Sequence, residues 1–258
     1  MERRLLVRIE GLLNTEEAGT VDYAIGTYLR HNFSHLHNAS LTDISKACNV
    51  SYASVSRFVR KLGYDDFFDL KQDLNELAAQ TQNGMEIFSR FQEGTILPFE
   101  DDLQKQVEHM KQVVSEDLLD QAAEAILQSH SVFTMGHWHS GDAALQLSHD
   151  LLYLGIDCTP ITGVDEQAEY LRSMKEGDCL IIFSCSGNFF RDFFQDTVRF
   201  RKPANTKIIM ITSDCHSTSK AVDVLINSDT GMGLTGGNLS LFILEKMLLL
   251  RCYAKKNQ

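Results

Sequence analysis

Two turns rich in serine and glycine carry the residues best suited to bind an anion. Residues 184–188 read Ser-Cys-Ser-Gly-Asn, and residues 136–141 read Gly-His-Trp-His-Ser-Gly. Hydroxyl groups and free backbone amides at a helix start bind phosphate, and glycine lets the backbone approach the phosphate oxygens. An ordinary capped turn uses the same residue types, so the composition of these turns leaves both interpretations open.

A second set of polar residues, within residues 51–62, has the arrangement of a helix that reads DNA. Its apolar positions are Val55, Phe58, Val59 and Leu62, which recur at helical spacing. Its remaining chemistry-bearing positions are Ser51, Tyr52, Ser54, Ser56, Arg57, Arg60 and Lys61. Hydroxyl and aromatic groups near the helix start suit base edges, and the cations near its end suit phosphates. Many amphipathic helices simply expose such a polar face to solvent, so the pattern alone does not distinguish a DNA-reading helix from an ordinary surface helix.

The charge is unevenly distributed along the chain. The 24 Lys and Arg against 35 Asp and Glu give a net charge of −11, which argues against a polycation that grips nucleic acid through bulk charge. Residues 1–75 hold 9 basic and 10 acidic residues, which leaves 15 and 25 for the rest. No acid occurs between Asp43 and Asp65, and that interval carries four cations: Lys46, Arg57, Arg60 and Lys61. The acidity therefore belongs to the C-terminal part.

The N-terminal residues must form helices that support the polar face. Apolar spacing predicts a first helix from Val21 to about Leu36. Ser40 and Asp43 form a capping box for a short second helix, and Ser51 caps a third helix that Gly63 ends. Two short helices three or four residues apart are typical of a helix-turn-helix, whose second helix enters the major groove.

The flanks of this motif complete the N-terminal prediction. Thr42, on the short helix before the reading helix, joins the predicted DNA-contacting residues. A further helix is predicted from Phe67 to Ala79, and the polar stretch from Gln80 to Gly84 suits a hinge or linker.

Beyond about Glu100, strand and helix patterns alternate, which indicates an α/β sheet of parallel strands. The predicted strands are Ser131–Met135, Asp157–Ile161, Cys179–Ser184, Lys207–Thr212 and Asp223–Asn227. The predicted helices are Asp142–Leu154, Glu166–Met174, Phe189–Arg201 and Leu239–Tyr253. Ligands of such sheets sit beyond the carboxyl ends of the strands, where both serine-rich turns and Thr212-Ser213 lie.

Two resemblances cover most of the chain. The run LTDISKACNVSYASVSRFVRKLGYDDFFDLKQDL resembles the helix-turn-helix of the RpiR family of bacterial transcription regulators, over about residues 1–77. The segment from about Glu100 to Leu250 resembles the sugar isomerase (SIS) domain, a phosphosugar-binding α/β module, and the two together are that family's layout. The resemblance implies DNA binding and a phosphate site. It would use the hydroxyls of Ser184 and Ser186, the amides of Gly187 and Asn188, and, from the first loop, Gly136 and Ser140.

The sequence departs from the family pattern at the predicted phosphate loop. The family usually reads S-x-S-G-x-T-x-E there, but Phe189 stands for the threonine and Arg191 for the acid. Arg191 would either restore a contact to the anion or, because its charge is opposite to that of the usual acid, reverse the loop's preference for the groups at the sugar end of the ligand. The phenylalanines 189, 190, 193 and 194 are expected in the helix core. Trp138 replaces a frequent glycine in the first loop, where its indole would stack on a sugar or fill the pocket.

Other chemistries fit the sequence less well. His137, His139 and His149 lack a convincing further ligand, so no metal and no cofactor are expected. Six scattered cysteines form no CxxC pair, which favours a reducing cytoplasm over a disulfide scaffold, although Cys185 between two serines leaves redox sensing open. No signal peptide or membrane span is predicted. An isomerase would need a base, for which Glu166, Glu169 and His139 are the candidates.

We therefore expect an all-α helix-turn-helix domain over residues 1–77, a linker or connecting helix over 78–105, and an SIS-like α/β domain with a parallel sheet flanked by helices over 106–258. The predicted function is a non-enzymatic regulator whose affinity for operator DNA is modulated by a phosphosugar. Homodimers or higher oligomers are expected, with Leu239–Leu250 as a candidate packing face. The alternatives are an isomerase-type enzyme and a regulator whose SIS domain only oligomerises.

Overall fold

The computed structural model describes residues 4–75, 97–190, 201–214, 219–231 and 237–257. The chain divides into two units, one within residues 3–90 and one within residues 91–258. Residues 97–105, which the sequence assigned to a linker or connecting helix, lie in a helix that continues to Val113. Gln80–Gly84, the predicted hinge, lies outside the described residues.

The N-terminal unit consists of short helices whose ends are set by local hydrogen bonds. Its elements are α1 (Arg4–Thr15), α2 (Val21–Asn32), a 3-10 helix (Phe33–Asn38), α3 (Leu41–Ala47), α4 (Tyr52–Lys61) and α5 (residues 67–75). Ser40 and Asp43 form the predicted capping box, and the Ser51 hydroxyl accepts from the Ser54 amide at 3.1 Å. The predicted caps of α3 and α4 are therefore confirmed.

The core of this unit differs from the sequence prediction at two places. The first predicted helix ends at Asn32 rather than near Leu36, because the chain tightens into the 3-10 helix. The helix α1 was not predicted at all, yet it packs on α2 and buries Leu5, Leu6 and Ile9. Burial of each such side chain stabilises a fold by about 1.5–3 kcal/mol. The predicted inner face of α4, from Val55 to Leu62, is buried as expected.

The C-terminal unit is built from five parallel strands and the helices between them. The strands are β1 (Ser131–Gly136), β2 (Cys158–Ile161), β3 (Asp178–Phe183), β4 (Lys207–Thr212) and β5 (Val224–Asn227). The helices are α6 (Leu97–Val113), α7 (Glu116–Gln128), α8 (His139–Tyr153), α9 (Val164–Ser173) and α10 (Gly237–Lys256). The predicted strands agree with these within one residue at each end, and the predicted fold class is confirmed.

The sheet has the order β2-β1-β3-β4-β5 and is covered on both faces. Alternate residues of the central strand β3 enter two separate cores: Ile181 and Phe183 pack with α7, α8 and α10, whereas Leu180 and Ile182 pack with α9. The chain moves outward from β1 to β2 and then crosses back to β3. Such a reversal leaves a crevice beyond the carboxyl ends of β1 and β3.

Among the described residues, no helix is both long enough and apolar enough to cross a membrane.

Candidate functional site

The two serine-rich turns lie side by side at this crevice. Gly136 and Phe183, the last residues of β1 and β3, are paired in register. The Ser140 hydroxyl accepts from the Cys185 amide at 3.2 Å and also contacts the Cys185 Sγ at 3.4 Å. Ser140 and Cys185 are both buried, so this hydroxyl ties the first turn to the second. The structure thus brings together the two loops that the sequence singled out.

Glycine at position 136 is required by the close approach of β1 to the start of α8. A Cβ atom at Gly136 would lie 2.7 Å from the backbone carbon and oxygen of Ser140. A Cβ atom at Gly141 would lie 3.0 Å from the Gly136 oxygen. Both glycines therefore act through packing, because they let the strand end and the helix start touch.

Gln167 on α9 also fixes this end of the sheet, and the sequence analysis missed it. Its Nε2 donates to the carbonyl oxygens of Gly136 at 3.0 Å and Ile161 at 2.8 Å, so it joins the ends of β1 and β2. Its Oε1 is buried and has no hydrogen-bond partner among the described residues. One signal was present: Gln167 and Leu171 are the buried positions of α9, and a polar residue on a buried stripe needs a partner.

The predicted phosphate loop is a tight turn with internal hydrogen bonds. Gly187 has φ 68°, and its amide donates to the Ser184 carbonyl at 3.1 Å. The Asn188 amide donates to the Ser186 hydroxyl at 3.4 Å. Ser184 is fully buried, whereas Ser186 and Asn188 are half-buried. The two amides expected to be free for an anion therefore have partners within the loop, because the left-handed glycine closes the turn on itself.

Residues at the end of the neighbouring strand β4 hold this loop through hydrogen bonds. The Cys185 carbonyl accepts from the Thr212 hydroxyl at 3.2 Å and from the Asp214 amide at 3.0 Å. The Ser213 hydroxyl donates to the Gly237 carbonyl at 2.6 Å. Thr212 and Ser213, which the sequence suggested as further ligand contacts, are fully buried and engaged in holding backbone.

Cys185 also connects the crevice to the last helix. Its thiol donates to the Asn238 side-chain oxygen at 3.1 Å, at the start of α10. Since Cys185 is only 6% exposed, this thiol is enclosed by its hydrogen-bonding neighbours. A change in the conformation of residues 184–188 would therefore alter a hydrogen bond at the start of α10.

Phe189 faces the core rather than the crevice, as expected. It is fully buried against Met135 and Leu180, and its ring stacks on that of His137 with centroids 5.2 Å apart. Phe190 is also buried in this core. The hydroxyl that the family pattern places at position 189 is thus replaced by packing. The other departures, Arg191 and the phenylalanines 193 and 194, lie outside the described residues.

The residues nominated for metal binding and catalysis are scattered and mostly solvent-facing. Glu166, Glu169, His139 and His149 are exposed, and His139 lies 3.6 Å from the Asp142 carboxylate. His137 is buried and packs on Phe189. No group of three or more His, Cys, Asp or Glu is placed to hold a metal within the part of the chain that the structure describes.

In the N-terminal unit, the predicted DNA-contacting residues form one side of α3 and α4. Thr42, Ser51, Tyr52, Arg57, Arg60 and Lys61 are exposed, and Ser54 and Ser56 are half-buried. Tyr52 stands out at the start of α4, with 57% of its surface exposed. Ser51 is engaged as the cap of α4, and its hydroxyl lies 2.8 Å from that of Ser54. Tyr52, Arg57 and Arg60 are therefore the projecting groups of the face.

Lys61 is partly neutralised by acids that are distant in sequence. Its ammonium forms ion pairs with Asp22, at 2.7 Å, and with Glu16. These two hydrogen bonds raise the pKa of Lys61 above its usual value, and the one that it donates to Asp22 has the larger effect. The same region forms a groove of about 380 Å³ lined by Thr20, Val21, Asp22, Ser54, Arg57 and Lys61. The positive charge of the four cations found in the sequence is therefore partly cancelled in the folded unit by acids from elsewhere in the chain.

Arg8 on α1 holds the end of α4 and was also missed by the sequence analysis. Its guanidinium donates to the Leu62 carbonyl and lies 5.6 Å from the centre of the Tyr64 ring. Gly63 has φ 84°, and any Cβ there would collide with the Arg8 guanidinium. The Tyr64 hydroxyl in turn donates to Asp73 of α5 at 2.5 Å. These contacts join the C-terminal end of α4 to α1 and the turn after it to α5.

Comparisons with known proteins agree with both units. Residues 13–81 match the profile of the helix-turn-helix domain of the rpiR family. The transcriptional regulator RpiR of Escherichia coli K12 is 23% identical over 215 residues, which cover 81% of this chain and 72% of that protein. An uncharacterized HTH-type transcriptional regulator of Caldanaerobacter subterraneus is 26% identical over 252 residues, covering 90% and 86% of the two chains.

Among solved structures, the fold is similar to that of the Vibrio vulnificus NanR protein complexed with ManNAc-6P. The TM-score is 0.52 at 17% sequence identity, and the match covers 97% of this chain and 92% of NanR. This similarity concerns the fold. Residues 13–81 therefore form a helix-turn-helix domain of the rpiR family, the curated relatives are named as transcriptional regulators, and the fold of the chain is similar to that of NanR.

Proposed function

We propose that the protein binds operator DNA through α4 and that a phosphosugar in the crevice of the SIS domain changes its affinity for that DNA. The observation that carries this proposal is the junction of Ser140 with Cys185, which places both serine-rich turns at one crevice. The helix-turn-helix is the domain whose DNA affinity would change when a ligand binds in the crevice. A sensor needs differential binding rather than turnover, so the proposed role is non-enzymatic. The proposed location is the cytoplasm, because the scattered cysteines form no CxxC pair and fit a reducing compartment.

The DNA contacts are proposed for Thr42, Ser51, Tyr52, Ser54, Ser56, Arg57, Arg60 and Lys61. Arg57 and Arg60 provide most of the affinity, because each projects an exposed cation from the recognition helix. Replacement of both arginines by alanine is expected to weaken operator binding by ~10-fold or more at physiological salt and to reduce the salt dependence. Fluorescence anisotropy with labelled operator measures this, and circular dichroism checks the fold. Unchanged affinity would overturn the assignment of α4.

The phosphate of the effector is proposed to bind at Ser184, Ser186, Gly187 and Asn188, with Gly136 and Ser140 shaping the first loop. Ser186 and Asn188 are accessible, and the Asn188 amide need only exchange its long bond to Ser186, at 3.4 Å, for a charged one. That NanR is described as complexed with ManNAc-6P supports the ligand class. A thermal-shift panel of sugar phosphates tests it. A shift that Ser184→Ala/Ser186→Ala abolishes is expected, whereas silence across the panel would favour a domain that only oligomerises.

The coupling to DNA is proposed to run through α10. Asn238 joins the start of this helix to Cys185, and one side of α10 remains half-exposed: Leu239, Phe242, Ile243 and Met247. In a homodimer or higher oligomer this side would pack against another subunit. Ligand binding would then alter the spacing between recognition helices, which operator half-sites require to be fixed. Sedimentation velocity of the full chain with and without ligand measures the oligomeric state.

An isomerase function receives less support from the geometry. A general base needs an enclosed position over the sugar carbons, and Glu166, Glu169 and His139 all face solvent. Interconversion of aldose and ketose phosphates at enzyme-like rates, followed by NMR, would overturn the purely regulatory role.

A further inference from the structure

Trp138 has a backbone conformation that suits glycine. It lies between β1 and α8 with φ 50° and ψ −128°. The left-handed helical region that other residues visit has positive ψ, so Trp138 lies outside it. Holding a side chain in such a region costs on the order of 1–3 kcal/mol and requires the surrounding structure to enforce it.

The neighbours of Trp138 leave this turn little freedom. Gly136 touches the backbone of Ser140, and the Ser140 amide donates to the His137 carbonyl at 3.0 Å. The Trp138 carbonyl accepts from the Asp142 amide at 3.2 Å, which begins the hydrogen bonding of α8. Relaxing Trp138 would disturb these bonds and the link from Ser140 to Cys185. The strain is therefore held by the same contacts that build the crevice.

The side chain of Trp138 stays partly exposed although its neighbours in the turn are buried. His137 and Ser140 are buried, whereas Trp138 is half-buried and its ring lies 5.3 Å from that of the exposed His139. Trp138 thus adds a large apolar surface to a turn that adjoins the polar loop at residues 184–188. Ligand sites combine such aromatic surface with a few polar groups, and an indole binds an apolar face better than a bare anion.

We propose that Trp138 is a specificity-determining residue of the proposed phosphosugar site, whose indole contacts the carbon skeleton of the sugar. The hydroxyls of Ser184 and Ser186 hold the phosphate, and Trp138 selects sugar monophosphates over inorganic phosphate. The inference rests on the proposed function, because it deepens the assignment of the same crevice.

The only tryptophan of the chain is Trp138, so intrinsic fluorescence of the full chain reports on this residue alone. Ribose 5-phosphate, glucose 6-phosphate, N-acetylmannosamine 6-phosphate and inorganic phosphate are titrated in parallel with a thermal-shift assay. A sugar phosphate that stabilises the protein is expected to change the emission over the same concentration range, whereas inorganic phosphate leaves it unchanged. Stabilisation without a change in emission overturns the role of Trp138 but not the effector site. Silence of both readouts across the panel overturns both.

Substitutions at Trp138 separate specificity from folding. Trp138→Gly is expected to lower the ratio of sugar phosphate to inorganic phosphate affinity by ~10-fold, and Trp138→Phe by less than ~3-fold. The glycine variant should unfold at a higher temperature than Trp138→Ala, because only glycine accepts the backbone conformation without strain. A glycine variant that weakens both ligands equally would show that Trp138 has a structural role only.

Discussion

The proposed DNA-contacting face and the crevice of the C-terminal unit place their polar residues in opposite surroundings. Tyr52, Arg57 and Arg60 project from α4 into solvent, whereas Ser140, Ser184 and Cys185 are buried and joined to backbone. A substitution on the helix face therefore changes binding with little effect on folding. A substitution in the crevice alters the loops themselves, so stability must be measured before any loss of ligand binding is interpreted.

The largest expected effect is that of Gly136→Ala. The new Cβ would lie 2.7 Å from the Ser140 backbone, so the start of α8 must move away, at a cost of about 3 kcal/mol in stability. Chemical unfolding followed by Trp138 fluorescence measures the C-terminal unit. Gly11→Ala in α1 is the matched control, and far-UV circular dichroism measures it because Trp138 lies in the other unit. Nothing lies within 4 Å of its Cβ position, so alanine should stabilise that helix by about 1 kcal/mol. Equal changes in the free energy of unfolding for Gly136→Ala and Gly11→Ala would show that the close approach at Gly136 is not what limits stability.

A buried acid gives the C-terminal unit a pH dependence of opposite sign to that of most carboxylates. Burial raises the pKa of Glu245 on α10 to about 7, against the opposing hydrogen bond from Lys246. Because the folded pKa exceeds the unfolded value of 4.5, the native state binds more protons between pH 4.5 and 7, and stability falls as pH rises through that window. This loss amounts to about 2 kcal/mol between pH 5.5 and 8, and we expect Glu245→Gln to reduce it in urea titrations at those two pH values.

The neighbouring carboxylate provides the control for this pH dependence. Hydrogen bonds from Lys246 and Gln146 lower the pKa of Asp150, although its burial opposes them. Asp150 therefore contributes stability that is lost only as pH falls below its ordinary value of 3.8, outside the window of Glu245. If Glu245→Gln kept the full loss of stability between pH 5.5 and 8, another group would have to account for it.

Loss of Gln167 should have the next largest effect. Gln167→Leu removes two hydrogen bonds and leaves the carbonyl groups of Gly136 and Ile161 without this donor, which is expected to cost about 2 kcal/mol. Gln104→Leu on the exposed side of α6 is the control and should be nearly neutral. Differential scanning fluorimetry distinguishes the two variants. A neutral Gln167→Leu would show that the ends of β1 and β2 hold each other without this side chain.

The smallest expected effect concerns Lys61 on the DNA-contacting face. Because Lys61 already pairs with Asp22 and Glu16, Lys61→Ala should reduce DNA affinity less than Arg57→Ala, and the change in salt slope should be below ~1. Asp22→Asn should increase DNA affinity by releasing this cation. Anisotropy at several salt concentrations measures all three variants. A loss as large as that of Arg57→Ala would mean that Lys61 exchanges its acids for phosphates on binding.

Much of the fold was predictable because its signals are local. The capping box at Ser40, the cap at Ser51 and the glycine after α4 depend on residues within three or four positions, and all were predicted. The strands followed from short apolar runs, with ends within one residue. The helix α1 was missed because its apolar stripe is buried only by packing against α2, a contact that the sequence does not show.

The sequence by itself determined most of the elements, the parallel sheet and the two serine-rich turns, since each follows from periodicity, capping or the alternation of strands and helices. It missed the helices α1 and α7. Only the tertiary structure decided which of those residues act together. Ser140 meets Cys185, and Lys61 meets Glu16, across 45 residues of chain. Arg8 reaches Leu62 across 54 residues, and Gln167 reaches Gly136 across 31. These contacts arise from the packing of whole elements, so no local pattern specifies them.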